Sequence, residues 1–568
     1  MQSIDERIDY QHAHCSHTCP KNCICEQATS MQCFRVQSIP PVTSNNVKKI
    51  HLGYSHLKEL KVRDFSGLPG LEEVVLSSGG IEQIDASVFR SHVLLKTLDL
   101  QKNKLRQLPR GLPSGLEILH LGHNRIHSLQ ESPLEGLKKL RVLNLQNNQI
   151  STLRANTLTL LQKLECLYLD GNKIESIHGA PRLPFLNMLS MGSNRISSIS
   201  STFFSSLQLL KTLDLSSNRL TKVPHDLPQS LVHLNLDRNQ IRSLRNRDMS
   251  QLHNLISLSV SSNRLVSVDG GLRLPNLSVC ELAGNQLRML PVRLTSKLEK
   301  LDCRQNHIQE VTFQQLGGMK LLKHLFLENN SIQIFEANAL RNCIQLTNLA
   351  LEQNLLSAVP HGLPETLVRL DLKGNNITLI HERELKPLKR LQVLNLRNNK
   401  LSTLPALNLP KLKLLYLDGN PWQCSCELLK VKKALLAKDV EIRPDFCSEP
   451  VHESLDEWRA YVLAQDICEK QTRDLLLESQ TEHTDNDEYD YDFSCRVNVI
   501  TDPRSAVRMT RKRVSRPIRE LHVTQQRVQS GKVGRMKKWQ PARCGVGSDQ
   551  NDSIVDRPLL TPTQSILI

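Results

Sequence analysis

The stretch Leu140-Arg-Val-Leu143-Asn-Leu145-Gln-Asn-Asn148-Gln-Ile150 decides the fold. Leucine or isoleucine falls at its first, fourth, sixth and eleventh places and an Asn at the ninth. A short strand through Leu143 and Leu145 sends both leucines to one side, and the Asn turns the chain out of that strand. One such unit cannot bury its own apolar face, so it is stable only when copies stack and their leucines merge into one core.

The copies are present. The Asn returns at Asn103, Asn124, Asn148 and onward to Asn420, fifteen times in all, and Ser55 and Gly79 hold the same place in two degenerate copies ahead of them. These seventeen units recur every 24, 22 or 21 residues, in an approximate 24-24-21 rhythm. The pattern is that of a leucine-rich repeat, and it predicts an α/β repeat solenoid: a curved horseshoe with a parallel sheet on its concave side and an irregular to short-helical convex side. The Asn amide is suited to satisfy backbone groups that the tight turn leaves unpaired, bridging successive coils. Short copies carry prolines, as in Leu108-Pro-Arg-Gly-Leu-Pro113, Val223-Pro-His-Asp-Leu-Pro228 and Val359-Pro-His-Gly-Leu-Pro364. Proline fixes φ and lacks an N–H, so the return stretch there should be extended rather than helical.

A chain of 568 residues with 39% hydrophobic but only 4% aromatic residues fits a core built from leucine. No apolar run reaches the 18 or so residues of a membrane span. Residues 1–14 lack the basic and apolar regions of a signal peptide. That conflicts with the secretion argued from the cysteines and points to a processed or misassigned start.

Cys19, Cys23, Cys25 and Cys33 lie just before the repeats, and Cys424, Cys426, Cys447 and Cys468 just after them. An end coil has no neighbour to cover its leucines, and a disulfide-pinned cap covers them in an oxidising compartment. Zinc is the competing reading of the Cys-x-Cys pairs, but no His stands at ligand spacing. Cys280, Cys303 and Cys343 occupy apolar positions and should be buried thiols. Cys166 should face the concave side, where a free thiol could sit; Cys15, Cys495 and Cys544 have no evident partners. The organisation expected is an extension over 1–18, an N-terminal cap over 19–46, repeats over 47–422 and a C-terminal cap over 423–468. An acidic linker over 469–495 and a basic tail over 496–568 complete it.

The Cys-Pro-x2-Cys-x-Cys and Asn420-Pro-Trp422-Gln-Cys424-Ser-Cys426 caps, the 24-24-21 rhythm and an acidic tyrosine run together resemble the small leucine-rich proteoglycan family. The C-terminal cap departs from decorin-like members and is similar to that of chondroadherin and Slit. The resemblance implies disulfides joining Cys19 to Cys25, Cys23 to Cys33, Cys424 to Cys447 and Cys426 to Cys468. It also implies a secreted matrix protein that binds collagen or growth factors of the transforming growth factor β class and restrains their signalling. Two other readings stand beside it: a soluble receptor-like protein of adhesion or guidance, and an intracellular scaffold, which thiol titration would distinguish.

Sequons fall at Asn276, Asn329, Asn376 and Asn551, the first three at outward repeat positions suited to N-glycans. Tyr489 and Tyr491 sit among six acidic residues, a context resembling the family's tyrosine-sulfation sites, with a plain solvated linker as the alternative. Residues 496–568 hold 15 Lys and Arg against 5 Asp and Glu, most of the chain's formal +16. Their densest part, Arg508, Arg511, Lys512, Arg513, Arg516 and Arg519, should bind polyanions through counterion release. Outside a cell that means heparan sulfate, and the disulfide caps argue against nucleic acid. Ser-Gly pairs at Ser66, Ser78, Ser114 and Ser530 lack acidic flanks and do not mark glycosaminoglycan attachment.

No catalytic motif, Gly-rich phosphate loop or cofactor signature appears, which predicts a binding protein rather than an enzyme. The binding surface should be the concave sheet, about 75–80 Å along its arc at roughly 4.8 Å per strand. Between the paired strand leucines stand four aspartates, one glutamate and three aromatics, so this face reads as mixed to acidic and suited to basic protein ligands. Tyr168 and Phe326, seven repeats apart, are the candidate anchors, and Asp214 and Asp302 the candidate steering charges.

Overall fold

Three-residue strands, one per repeat, lie side by side in a computed structural model that describes residues 19–443, apart from 27–28, 41–45 and 130–131. Val142–Asn144 pairs in parallel with Ile118–His120 on one side and Cys166–Tyr168 on the other, leucine beside leucine. The same register continues from strand to strand up to Leu414–Tyr416. Seventeen repeat strands thereby share one sheet of 20, the other three belonging to the two ends. Alternation along each strand sends the central leucine inward and its two neighbours to the concave side. Leu143, Leu145 and Leu140 are completely buried, and one continuous apolar core runs from Met31 to Val440.

The repeating Asn closes each coil as its chemistry requires. Asn148 donates to the Leu145 carbonyl at 3.0 Å within its own coil and to the Leu121 carbonyl at 2.9 Å in the preceding one, while its Oδ1 accepts from Ile126 N at 2.9 Å. Asn172, Asn194 and Asn218 repeat these bonds in the next coils. The residue before the Asn takes a left-handed conformation, as at Asn147 (φ 53°) and Gly171 (φ 67°). At Gly171 a Cβ would come within 2.2 Å of Asn147 Oδ1, so glycine there answers to close approach as well as to φ.

Long copies return through a single helical turn, as at Asn246–Met249, Phe313–Leu316 and Glu382–Leu385. The proline copies return without helix, and in the stretch 223–228 Val223 and Leu227 pack inward. Phe65 and Phe89, with centroids 5.4 Å apart, fill the wider convex space of the first repeats.

Both ends are closed. Cys23–Glu26 and Ser30–Phe34 form an antiparallel hairpin, and the second strand joins Lys49–Gly53 in parallel, so the sheet's edge ends on a covalently stapled turn. Cys19 is bonded to Cys25 and Cys23 to Cys33. At the other end Ser425 caps the helix Cys426–Leu436, whose Leu428 and Leu435 bury against the last coils. The strand Glu441–Arg443 then pairs with Leu414–Tyr416. Cys424 and Cys426 are disulfide-bonded, while Cys447 and Cys468 lie outside the described residues.

Candidate functional site

Three columns of side chains face the concave side: the two that flank each central strand leucine, and a third two residues further on. Tyr168 belongs to an apolar patch in which Ile118, Val142, Cys166 and Met188 stand in register on four adjacent strands. Its hydroxyl reaches Met188 Sδ at 3.4 Å. Cys166 corrects the expectation of a free thiol, because it is disulfide-bonded. Spacing along the chain reveals partners only when they are close in sequence, and Cys166 has no nearby cysteine. Cys280, Cys303 and Cys343 are free and buried. Burial pushes the thiols of Cys280 and Cys343 up to about 12, which makes them inert packing groups.

Phe326 stands half-buried in a different setting. Its ring stacks parallel to His324, with centroids 6.3 Å apart, and Lys300 and Arg304 approach it at 5.8 and 5.5 Å. Each of those cations is held by a carboxylate: Lys300 by Glu281, and Arg304 by both oxygens of Asp302, its Nε lying 3.0 Å from each. Further along, Arg369 pairs with Asp371, and Arg397 lies 4.2 Å from the Tyr416 centroid while bound to Asp418. An aromatic ring fixed by packing among satisfied ion pairs is a preorganised contact surface, losing little side-chain freedom on binding.

Asp214 and Asp302 lie on this face but are 7% and 3% exposed. Asp214 Oδ1 accepts from Ser216 N at 2.7 Å, and desolvation pushes its carboxyl up to about 6 despite that bond. A buried group of this kind braces the turn more than it steers a partner through solvent. Nearby Asp170 is raised by the same desolvation and accepts from Ser190 Oγ at 2.6 Å and Gly192 N at 2.8 Å.

Counting only the residue between the leucines missed half of the face's charge. Lys300, His324 and Arg369 stand in the first concave column and Arg304 in the third. They turn the face around Phe326 from acidic to mixed. Their signal was legible at the position just before each strand leucine, which shares the concave side. Burial and the adjacent lysines Lys300 and Lys323 lower the His324 pKa, which favours its neutral form.

Asn276, Asn329 and Asn376 lie outside the core, Asn329 exposed and the other two half-buried. Asn276 donates its side-chain N–H to the His253 carbonyl at 2.8 Å and accepts from Lys297 Nζ at 2.6 Å. Asn551, Tyr489, Tyr491 and the basic residues from Arg508 to Arg519 lie outside the described residues, as do Cys15, Cys495 and Cys544. No helix among the described residues is long and apolar enough to cross a membrane.

Comparison with known proteins agrees with this architecture. The leucine rich repeat family matches residues 114–174, 184–229, 296–356 and 365–421, and the BspA type leucine rich repeat region matches 42–112. Mouse nephrocan is 54% identical over 446 residues, covering 78% of this chain and 87% of that protein. Mouse podocan is 31% identical over 66% of this chain and 56% of its own length. Among solved structures, a Leptospira interrogans leucine-rich-repeat protein is 26% identical with a TM-score of 0.57, over 68% of this chain and the whole of that one. The Drosophila Toll–Spatzle complex contains a chain of the same fold, 20% identical with a TM-score of 0.61, over 73% of this chain and 65% of that one. A leucine-built solenoid with a stapled N-terminal cap and a nephrocan-like sequence over most of its length identifies a non-enzymatic extracellular binding protein, and the chain belongs to the small leucine-rich proteoglycan family.

Proposed function

We propose that this protein acts in the pericellular matrix by binding growth factors of the transforming growth factor β class, collagen, or both, on its concave sheet, and restrains growth-factor signalling. The observation that carries this reading is Phe326, an aromatic anchor held half-buried among fixed ion pairs on the inner face. Rim contacts around such a centre exclude water from it and concentrate binding energy in one place. Tyr168 anchors a second, separate region with its apolar neighbours. N-glycans at Asn276, Asn329 and Asn376 would leave the concave columns clear, Asn551 would carry a further glycan, and sulfation of Tyr489 and Tyr491 would add negative charge to the acidic linker. Surface-plasmon kinetics of Phe326→Ala and Tyr168→Ala against transforming growth factor β and fibrillar collagen test the reading. One of the two changes should weaken a given ligand by about 1–3 kcal/mol. Parent-like binding of both ligands by both variants would remove the concave sheet from consideration.

A further inference from the structure

We propose that the concave face holds a preformed acceptor for an arginine side chain of the protein ligand, built from Glu328 and Glu352 beside the Phe326 ring. This rests on the concave sheet being the ligand face and adds the chemistry of what it receives. Asp302, Phe326 and Ala350 are register partners on three adjacent strands. Two residues beyond each stand Arg304, Glu328 and Glu352, also side by side: Gln305 N donates to the Glu328 carbonyl at 2.8 Å and Asn329 N to the Glu352 carbonyl at 2.9 Å.

The carboxylates on either side are already neutralised. Glu281 is taken by Lys300, Asp302 by Arg304, Glu299 by Lys323 and Asp371 by Arg369. Among the described residues neither Glu328 nor Glu352 forms an ion pair, and Lys373, next in the column, forms none with Glu352. Glu328 is only 9% exposed, and its Oε2 has no hydrogen-bond partner. Among the described residues the one other buried carboxylate oxygen in that condition, Asp248 Oδ1 on the convex side, has His225 and Arg247 at 3.6 Å.

A buried carboxylate oxygen without a partner is unfavourable, and a cation supplied from outside relieves it. The two glutamates belong to strands about 4.8 Å apart. A planar guanidinium with five N–H donors can serve both at once, whereas an ammonium is a single point charge. The Phe326 ring forms the apolar wall of the acceptor, and the nearby Lys300 and Arg304 charges are cancelled by their own carboxylates.

Protonation gives the arrangement its own signature. Burial, helped by repulsion from Asp302 and Glu352, pushes Glu328 up to about 7 against the pull of its own backbone N–H and of Arg304. His324 and Lys300 also stand around the ring, with Lys323 and Glu299 close to His324. A guanidinium arriving at neutral pH would drive the proton off Glu328. Binding should therefore release about half a proton at pH 7 and strengthen as pH rises from about 6 to 8.

The test uses the full chain, with nona-arginine and nona-lysine peptides as probes, in calorimetric titrations run in two buffers of different ionisation heat. The parent should bind nona-arginine about tenfold more tightly than nona-lysine and release protons. Glu328→Gln combined with Glu352→Gln should abolish both the preference and the release, while Glu59→Gln with Glu82→Gln, far along the solenoid, should leave them intact. The glutamines are isosteric, and the melting temperature of the double variant should equal or exceed the parent's, because a buried unpaired charge is removed. Equal affinity of parent and double variant, equal affinity for the two peptides, or proton release that persists in the double variant overturns the acceptor. Growth-factor or collagen binding that falls with Phe326→Ala but not with the glutamine pair also overturns it and leaves the ligand-face reading standing. Arginine-selective binding with no growth-factor or collagen binding strikes the partner reading instead and leaves the acceptor.

Discussion

Asn218 illustrates how much of the solenoid rests on single side chains. It donates to the Met191 carbonyl at 2.9 Å and the Leu215 carbonyl at 3.1 Å, and accepts from Ile196 N at 2.9 Å, all buried. Removing the amide leaves Ile196 N dry and unpaired, while the Met191 and Leu215 carbonyls each keep one donor, from Asn194 and Asn239. Asn218→Ala should destabilise by about 1–3 kcal/mol, the cost of one buried orphan. Urea unfolding checks the size, and amide exchange should show the loss concentrated in the coils around Met191 and Ile196, because each coil touches only its neighbours. The Asn positions were legible from sequence because a turn imposes one residue type at one place. The surroundings of Asp214 and Asp302 were not. Strands of three residues crowd their concave neighbours, and Arg304 folds back onto Asp302 from two residues away, a contact that no periodicity encodes.

At the scale of elements the ends differ from the middle. An inner coil is covered on both sides, whereas the hairpin Cys23–Glu26 and Ser30–Phe34 has one open side and is held by Cys19–Cys25 and Cys23–Cys33. Replacing Cys23 and Cys33 together by Ala should destabilise the chain by about 2–5 kcal/mol. Thermal melts of the parent and double variant measure it. Non-reducing peptide mapping of the same samples should show Cys424 joined to Cys447 and Cys426 to Cys468. The N-terminal cap was readable because its cysteines lie within a few residues of each other. The proline copies were readable because proline forbids what a helix needs. The single helical turns of the long copies were expected only in kind, as a short-helical convex side, because four residues are too short to show a period of 3.6 and so to place each turn.

For the whole molecule, charge divides more sharply than shape. The repeats carry cations and carboxylates interleaved and in part paired, while residues 496–568 hold most of the net positive charge. Deleting 496–568 should abolish retention on a heparin column at physiological salt, since unpaired local charge dominates such binding. Unchanged retention would move the site to the repeats. Fold class and curvature were available from the repeat alone, because a solenoid is specified one unit at a time. The character of the binding face was only half available, since it depends on which charges find partners across neighbouring coils.

The N-terminal staples also bear on the order of synthesis. They close loops with sequence separations of only 6 and 10 residues, and the hairpin they hold is the first part of the described chain to leave the ribosome. Once oxidised, it presents a finished strand, Ser30–Phe34, to Lys49–Gly53 and so to the first coil. Each later coil needs only its predecessor as a template, so no segment waits for a distant partner before its leucines are covered. The direction of translation is in this way also a direction of folding, with the exposed apolar edge confined to one advancing front.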